Sequence, residues 1–107
     1  MKVVNLRANN YTVYIGRPGK GQDGYFGNPV KINTTCCMCD KVHEDRGSTL
    51  SCYELYLRKR LKASTAFRQR FLNLEDNDIL GCFCKPDACH GDIMMKVWEE
   101  LQNEPGN

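Results

Sequence analysis

The chain has 107 residues, of which 41% are hydrophobic and 26% are charged, and its formal net charge is +2. This length suits one domain spanning residues 1–107 and excludes two independent cores, while the composition excludes a disordered chain. No apolar run is long enough to cross a membrane, and the charged start at Met1-Lys2 is not a secretory signal. We therefore expect a cytoplasmic protein with no membrane partner.

The first part of the chain predicts two strands followed by a long loop. Residues 2–6 and 11–15 are short runs rich in β-branched and aromatic residues, which is typical of strands. Residues 16–29 contain five glycines and two prolines, too many for a regular element. A loop of this length within a compact domain is usually functional, although a turn-rich surface loop would have the same composition.

Three residues of this loop are candidates for binding an anion. A strand followed by glycine exposes backbone N–H groups to a phosphate, and Arg17 adds a guanidinium fork beside Gly16. Asn28 lies in the Gly-Asn-Pro segment at the other end of the loop. Neither a P-loop nor a Gly-x-Gly-x-x-Gly pattern occurs. We predict Gly16, Arg17 and Asn28 as substrate-binding residues.

The rest of the chain predicts helices on either side of a buried strand. Apolar residues at helical spacing follow Ser48, a candidate N-cap, and a second helix is expected around residues 65–74. Residues 78–84 are mostly apolar, which indicates an interior strand, and Asp87 is a candidate N-cap for a final amphipathic helix. We expect an α/β fold, a small single domain with a short, mostly parallel or mixed sheet packed by two to three helices.

A basic segment coincides with the predicted helices. Between Leu55 and Leu74 the chain has six basic residues and no acidic one. Such a face could attract a polyanion. The alternative, a solvated helix face, is the interpretation that we favour.

A cysteine-rich insertion at residues 33–52 predicts a zinc site. Cys36-x-x-Cys39 is a tight turn that lets two thiolates reach one ion, and His43 and Cys52 would complete a tetrahedron. A closed site with four protein ligands is structural rather than catalytic. Use of Cys37 in place of Cys36, or thiols without a metal, remain alternatives. We predict Zn²⁺ as the cofactor. The bound ion would hold the insertion against the following helix.

A second cluster lies between the interior strand and the last helix. Cys82 and Cys84 project from the same face of the strand, and Cys89 and His90 follow where a helix N-terminus would stabilise a thiolate. The cluster could be a reactive cysteine assisted by His90, a soft metal site, or structural packing. We assign Cys82 mostly to the core, and the spacing of Asp92 does not support a triad. Candidate catalytic residues are Cys84, Cys89 and His90.

The order of motifs resembles the family called domain of unknown function 4326, found in phages and bacteria. The matching segments are Val3-Val4-Asn5-Leu6-Arg7, Tyr14-Ile15-Gly16-Arg17-Pro18, Gly27-Asn28-Pro29, Cys52-Tyr53-Glu54-x-Tyr56-Leu57 and Leu80-Gly81-Cys82-Phe83-Cys84-Lys85-Pro86-x-x-Cys89-His90-Gly91-Asp92. Phe83 stands where the family usually has tryptophan. The resemblance implies a small α/β domain but no established activity. Because some members lack the insertion, it also implies that the upstream cluster is an accessory structural site.

Two functions from different classes agree with these motifs. The first is binding or processing of a nucleotide or nucleic-acid-related anion, with or without catalysis, in a cleft where separated motifs converge. Its residues would be Arg17, Asn28, Cys84, Cys89 and His90. The second is a non-catalytic, zinc-stabilised accessory protein that binds a host protein or nucleic acid, in the host cytoplasm if the chain is phage-encoded. A third option makes Cys84 and Cys89 a redox pair.

Overall fold

A computed structural model shows an α/β fold in which a three-stranded parallel sheet is packed with three helices. It describes residues 1–7, 9–17, 19, 21–22, 24–83, 85 and 87–103. The elements in chain order are β1 (Lys2–Asn5), β2 (Val13–Tyr14), α1 (Leu50–Ala63), α2 (Thr65–Leu72), β3 (Ile79–Cys82) and α3 (His90–Asn103). The predicted fold class is confirmed.

Strand β3 lies at the centre of the sheet, in the order β1-β3-β2. Val3 of β1 and Val13 of β2 both register with Leu80 of β3, and both pairings are parallel. A strand paired on both edges and covered by helices has little access to water, which explains the apolar run that predicted it. Leu80 is accordingly fully buried.

The core lies between the sheet and the helices. Helix α1 packs on α2 and α3, and α3 also contacts β1. Close packing of α3 on the sheet requires Gly91, because a Cβ atom there would lie 2.7 Å from Ile15 Cδ1 and 2.9 Å from the Val3 methyl groups. The largest fully buried side chains are Ile15, Tyr53, Leu57, Phe67, Phe71, Leu80, Met94 and Val97.

The helix starts differ from two sequence predictions. Ser48 is not the N-cap of α1, since a short 3-10 turn at Gly47–Thr49 precedes the helix and Thr49 occupies the cap position. Asp87 is not the N-cap of α3, because that helix begins three residues later at His90. Ser64 does cap α2, since its side-chain oxygen accepts a hydrogen bond from the Phe67 N–H.

The helices of the described residues are too short and too polar to cross a membrane.

Candidate functional site

The cysteine-rich insertion brings four side chains together around one point. One ligand atom from each of Cys36, Cys39, His43 and Cys52 lies within 4.8 Å of the other three. Cys36 and Cys52 are buried and the other two are half-buried, whereas Cys37 is exposed. The structure therefore places Cys36 rather than Cys37 in this cluster, and the cluster could hold a metal ion.

The donor set and spacing suit a tetrahedral ion. With metal–sulfur bonds of about 2.3 Å and metal–nitrogen bonds of about 2.0–2.1 Å, a zinc-bound sulfur and nitrogen lie about 3.6 Å apart. The distance between Cys39 Sγ and His43 Nε2 is 3.6 Å. At this pair of atoms, the side chains fit a four-coordinate metal without rearrangement.

Backbone hydrogen bonds shape the turn that carries the first two thiols. The Cys36 N–H donates to the Lys41 carbonyl at 2.8 Å, and the Asp40 N–H donates to the Cys36 carbonyl at 3.1 Å. The Met38 N–H donates to Cys36 Sγ at 3.3 Å. Asp40 closes the turn with a φ of 61°, a conformation that aspartate tolerates better than most residues. Cys52, in the first turn of α1, then ties this turn to the helix.

Ser48 orients the histidine of the cluster. Its hydroxyl donates to the Asp45 carbonyl at 2.8 Å, so toward His43 Nδ1, 3.0 Å away, the hydroxyl oxygen acts as acceptor. Nδ1 therefore carries the ring hydrogen and Nε2 presents its lone pair to the three sulfur atoms. A metal-binding histidine is commonly held in this way by a second hydrogen bond.

The pKa values of the two buried thiols of the cluster are shifted in opposite directions. Burial raises the pKa of Cys36, but hydrogen bonds from the Met38 and Cys39 backbone, together with the side-chain contacts to His43 and Cys39, outweigh burial and bring the pKa to about 6. Burial, followed by the neighbouring Cys36 and Cys39 sulfurs, raises the pKa of Cys52 to about 11. One thiol is thus ready to bind a cation as thiolate, while the other loses its proton readily only when a cation is present.

The strand-to-helix turn assembles a second sulfur–imidazole group. Cys82 ends β3, and Cys89 lies immediately before His90, the first residue of α3. The Cys89 thiol lies 2.8 Å from Cys82 Sγ and 3.7 Å from His90 Nδ1. Cys82 and Cys89 are each 1% exposed and His90 is 7% exposed. Cys84, the other predicted member, lies outside the described residues.

The neighbours of His90 define its protonation. Its Nε2 lies 2.6 Å from the Ile15 carbonyl oxygen, which can only accept, so Nε2 carries the hydrogen and Nδ1 faces Cys89 as an acceptor. Burial lowers the pKa of His90, and the nearby charge of Arg17 lowers it further, against opposing effects of the Ile15 and Phe26 carbonyls and Asp92. A neutral imidazole beside Cys89 can accept the proton of that thiol.

The described thiols of this second group, Cys82 and Cys89, are not spaced as two ligands of one tetrahedral ion. Two thiolates on one tetrahedral zinc lie about 3.8 Å apart, whereas the Cys82 and Cys89 sulfurs are 2.8 Å apart. His90 Nε2 is engaged by the Ile15 carbonyl. Among the residues that the structure describes, the Cys36, Cys39, His43 and Cys52 cluster is the one group with metal-binding spacing.

Asp92 secures the start of α3 rather than polarising His90. Its Oδ2 atom accepts a hydrogen bond from the Cys89 N–H at 3.1 Å, and its carboxylate pairs with Lys85 Nζ at 2.7 Å and 2.8 Å. The Gly91 N–H in turn donates to Cys89 Sγ at 3.4 Å. Together these bonds form a reciprocal cap in which a cysteine takes the usual place of serine or threonine. The Asp92 hydrogen bond and the charge of that residue raise the pKa of Lys85, as do the Cys89 and Cys82 sulfurs.

A cavity of about 500 Å³ joins the glycine-rich loop to the strand-to-helix turn. Its lining includes Gly16, Arg17, Asn28, Cys89 and His90. The residues predicted to bind substrate and two of those predicted to catalyse therefore share one cavity. The roles assigned to them stay predictions.

Close backbone approach explains the glycine that precedes Asn28. A Cβ atom at Gly27 would lie 2.8 Å from the Gly16 carbonyl oxygen, so only glycine lets the two ends of the loop meet. Asn28 then orders the turn, since its Oδ1 accepts from the Val30 N–H at 2.9 Å and its Nδ2 lies 3.4 Å from Thr49 Oγ1. At least part of the role of Asn28 is therefore structural.

Sequence reasoning missed several cavity residues. Arg46 and Thr49 lie between the metal-cluster residues His43 and Cys52, yet both line the cavity. Tyr11, Tyr14 and Phe83 provide aromatic surface there. The exposure of Phe83, which is 50% exposed although it follows a buried strand, is a property that the sequence alone does not reveal.

The fold and the two clusters define a small α/β protein with a Cys₃His group able to hold a metal ion. Residues 2–100 match the family described as Domain of unknown function (DUF4326), and the chain belongs to that family. Searches of curated proteins and of solved structures gave no match.

Proposed function

We propose that the protein binds a small anionic ligand of the nucleotide class in the cavity between the glycine-rich loop and the strand-to-helix turn. The observation that carries this proposal is the convergence of Arg17, Asn28, Cys89 and His90, from three separated motifs, on one cavity. Its volume of about 500 Å³ lies within the range of about 300–1,000 Å³ that is common for small-molecule sites.

Charge supports an anionic ligand. Arg17 and Arg46 line the cavity, and no aspartate or glutamate does so among the described residues. Arg17 is exposed, and its carbonyl accepts a hydrogen bond from the Tyr14 hydroxyl at 2.6 Å, which fixes the backbone at this point of the wall. A guanidinium group can bind a phosphate through two parallel hydrogen bonds.

Aromatic surface supports a ligand with a planar ring. Tyr11 and Tyr14 line the cavity with ring centroids 6.5 Å apart, and Phe83, which follows β3, lines it as well. Aromatic side chains stack on nucleobases at a gain of about 1–3 kcal/mol for each base. A base on this surface and a phosphate at Arg17 together account for both kinds of lining residue.

Zinc is the metal that we propose for the Cys₃His cluster, with a structural role. Three sulfurs and one imidazole nitrogen form a closed set of four ligands, which leaves no coordination position for a substrate. The cluster supports the cavity indirectly, because Arg46 and Thr49, which lie between its ligands His43 and Cys52, line the cavity. Ile32, which forms a β-bridge with His43, lines it too. Metal binding would then hold one wall in place.

Isothermal titration calorimetry of the zinc-loaded protein tests the proposed ligand class. Nucleoside monophosphates are expected to bind more tightly than the matching nucleosides or inorganic phosphate, because only the nucleotides engage both the aromatic wall and Arg17. Arg17→Ala should weaken nucleotide binding about 10- to 100-fold, the effect of losing hydrogen bonds to a charged group.

Lys62→Ala is the matched control, since Lys62 is an exposed cation on α1 away from the cavity. Binding should be unchanged in this variant. Equal weakening in both variants would reveal non-specific charge attraction, and the absence of binding by every nucleoside monophosphate would contradict the proposed class.

The accessory-protein alternative draws less support from the basic segment. Arg58 pairs with Glu54 at 2.9 Å and Glu100 at 2.8 Å. Arg60 lies over the Phe67 ring at 3.9 Å, and Arg70 lies over a tyrosine ring at 3.8 Å. These three cations already bind groups of the protein itself, so they offer a weaker surface for an external polyanion.

A further inference from the structure

We propose that Cys82 and Cys89 are a redox-active dithiol that reduces a small hydroperoxide in the cavity and becomes an intramolecular disulfide. The Cys84–Cys89 pair considered from sequence stays a prediction, because Cys84 lies outside the described residues. The Cys82–Cys89 pair gives the chain a thiol-dependent activity separate from nucleotide binding. The proposal uses the same cavity but does not depend on the class of ligand that binds there.

The positions of the sulfurs carry the proposal. Cys82 Sγ and Cys89 Sγ are 2.8 Å apart, and a disulfide bond is about 2.05 Å long. Each thiol is fixed by its own element, one at the end of β3 and the other at the start of α3. Bond formation therefore requires a movement of less than about 1 Å and no rearrangement of the sheet or the helix.

The surroundings of Cys89 make it the thiol that reacts first. His90 Nδ1 is 3.7 Å from Cys89 Sγ and is an acceptor for its proton. The Gly91 N–H, at the start of α3, donates to the same sulfur at 3.4 Å. The positive charge of Lys85 also acts on this sulfur. A hydrogen-bond donor, a nearby cation and a helix N-terminus all favour thiolate.

Access to the pair runs through the cavity. Both thiols line it, although each is only 1% exposed. A thiol that is buried but lines a cavity reacts with small molecules and is shielded from large ones. This geometry selects hydrogen peroxide or a small alkyl hydroperoxide over a protein disulfide.

The reaction balances without a metal or cofactor. The Cys89 thiolate attacks one peroxide oxygen, the O–O bond breaks, and the leaving oxygen departs as water or an alcohol after taking a proton, leaving a sulfenic acid. The Cys82 thiol then attacks that sulfur, the S–O bond breaks, and water leaves as the disulfide forms. The peroxide is reduced by two electrons, the dithiol is oxidised by two, and an added dithiol such as dithiothreitol restores the pair.

Mass spectrometry of the whole chain tests the pair directly. The zinc-loaded, reduced protein is exposed to equimolar hydrogen peroxide, alkylated and digested with trypsin without reduction. Because Pro86 follows Lys85, Cys82, Cys84 and Cys89 remain in one peptide, from Phe71 to Lys96. We expect this peptide to lose two hydrogens, about 2 Da for one disulfide, and to carry a single alkyl label on Cys84.

Variants provide an independent check. Cys84→Ser should keep the mass loss, Cys89→Ser should abolish it, and Cys82→Ser should leave a Cys89 sulfenic acid that dimedone traps. A label on Cys82 instead of Cys84 in the wild-type peptide, three labelled cysteines after oxidation, or dependence of the mass loss on Cys84 would overturn the proposal. The wild-type labelling pattern decides the question even if a variant fails to fold.

Discussion

The two cysteine–histidine groups of this protein contain the same kinds of side chain but differ in spacing. The sulfur–nitrogen distances are alike, 3.6 Å between Cys39 Sγ and His43 Nε2 in the upstream group and 3.7 Å between Cys89 Sγ and His90 Nδ1 in the downstream group. The difference is in the sulfur–sulfur contact of the downstream group, since Cys82 Sγ and Cys89 Sγ are 2.8 Å apart, closer than the distance of about 3.8 Å between two thiolates on one tetrahedral zinc. Residue type alone therefore does not distinguish a metal site from a thiol pair, whereas the distances between ligand atoms do.

The largest expected effect comes from removing a ligand of the upstream group. Cys36→Ser should lose the bound zinc and lower the unfolding temperature more than any other change considered, because structural zinc is worth about 10–16 kcal/mol in isolated zinc-finger peptides. Elemental analysis and thermal unfolding measure both effects. Cys37→Ser, at the neighbouring exposed position, should keep about one zinc per chain.

The same measurement compares the two groups. Cys89→Ser should keep its zinc, because Cys89 lies outside the Cys₃His cluster. Loss of zinc from this variant, or full zinc in Cys36→Ser, would reverse the assignment of the two groups.

An intermediate effect is expected from the residue that orients His43. Ser48→Ala removes the acceptor of the Nδ1 hydrogen and should weaken zinc affinity about 10- to 100-fold, as measured by competition with a chromophoric chelator. Ser51→Ala is the control, since Ser51 is exposed in the first turn of α1. Equal affinity of the two variants would show that Ser48 does not support the metal site.

The smallest expected effect concerns the start of α3, next to the downstream group. Asp92→Ala removes the hydrogen bond to the Cys89 N–H and the ion pair with Lys85, and should lower the free energy of unfolding by about 1–2 kcal/mol. Asp87→Ala, at an exposed position in the same turn, should change it by less than about 0.5 kcal/mol. Urea unfolding distinguishes them, and comparable losses would contradict the capping role of Asp92.

The sequence predicted elements and clusters where the signal is local. The Cys36-x-x-Cys39 spacing and the helical periodicity around Tyr53 and Leu57 are patterns of residues close in the chain. In the structure, Cys36 and Cys39 lie in one cluster, and Tyr53 and Leu57 are buried on one face of α1. The apolar run around Leu80 likewise identified the interior strand, because a strand buried on both faces has no polar alternation.

Features that depend on the path of the chain between regular elements were not predictable in this way. Ser48 has the residue type and position of a helix cap, and only its contact with His43 reveals its other role. The Cys82–Cys89 contact depends on how a turn places a helix against a strand, whereas sequence reasoning assigned Cys82 mostly to the core. Arg46 lies in the cavity wall because of the path that the insertion takes. No local sequence pattern predicts that path.

The central position of β3 also determines when the sheet can form during synthesis. Strands β1 and β2 pair with β3 and are not paired with each other, so both must wait until residues 79–82 have left the ribosome. The Cys36 to Cys52 cluster needs no residue beyond α1, and its contacts span a much shorter stretch of chain. We therefore expect the insertion to order, with a metal ion if one binds, while the sheet is still unpaired and before the slower, long-range step of folding.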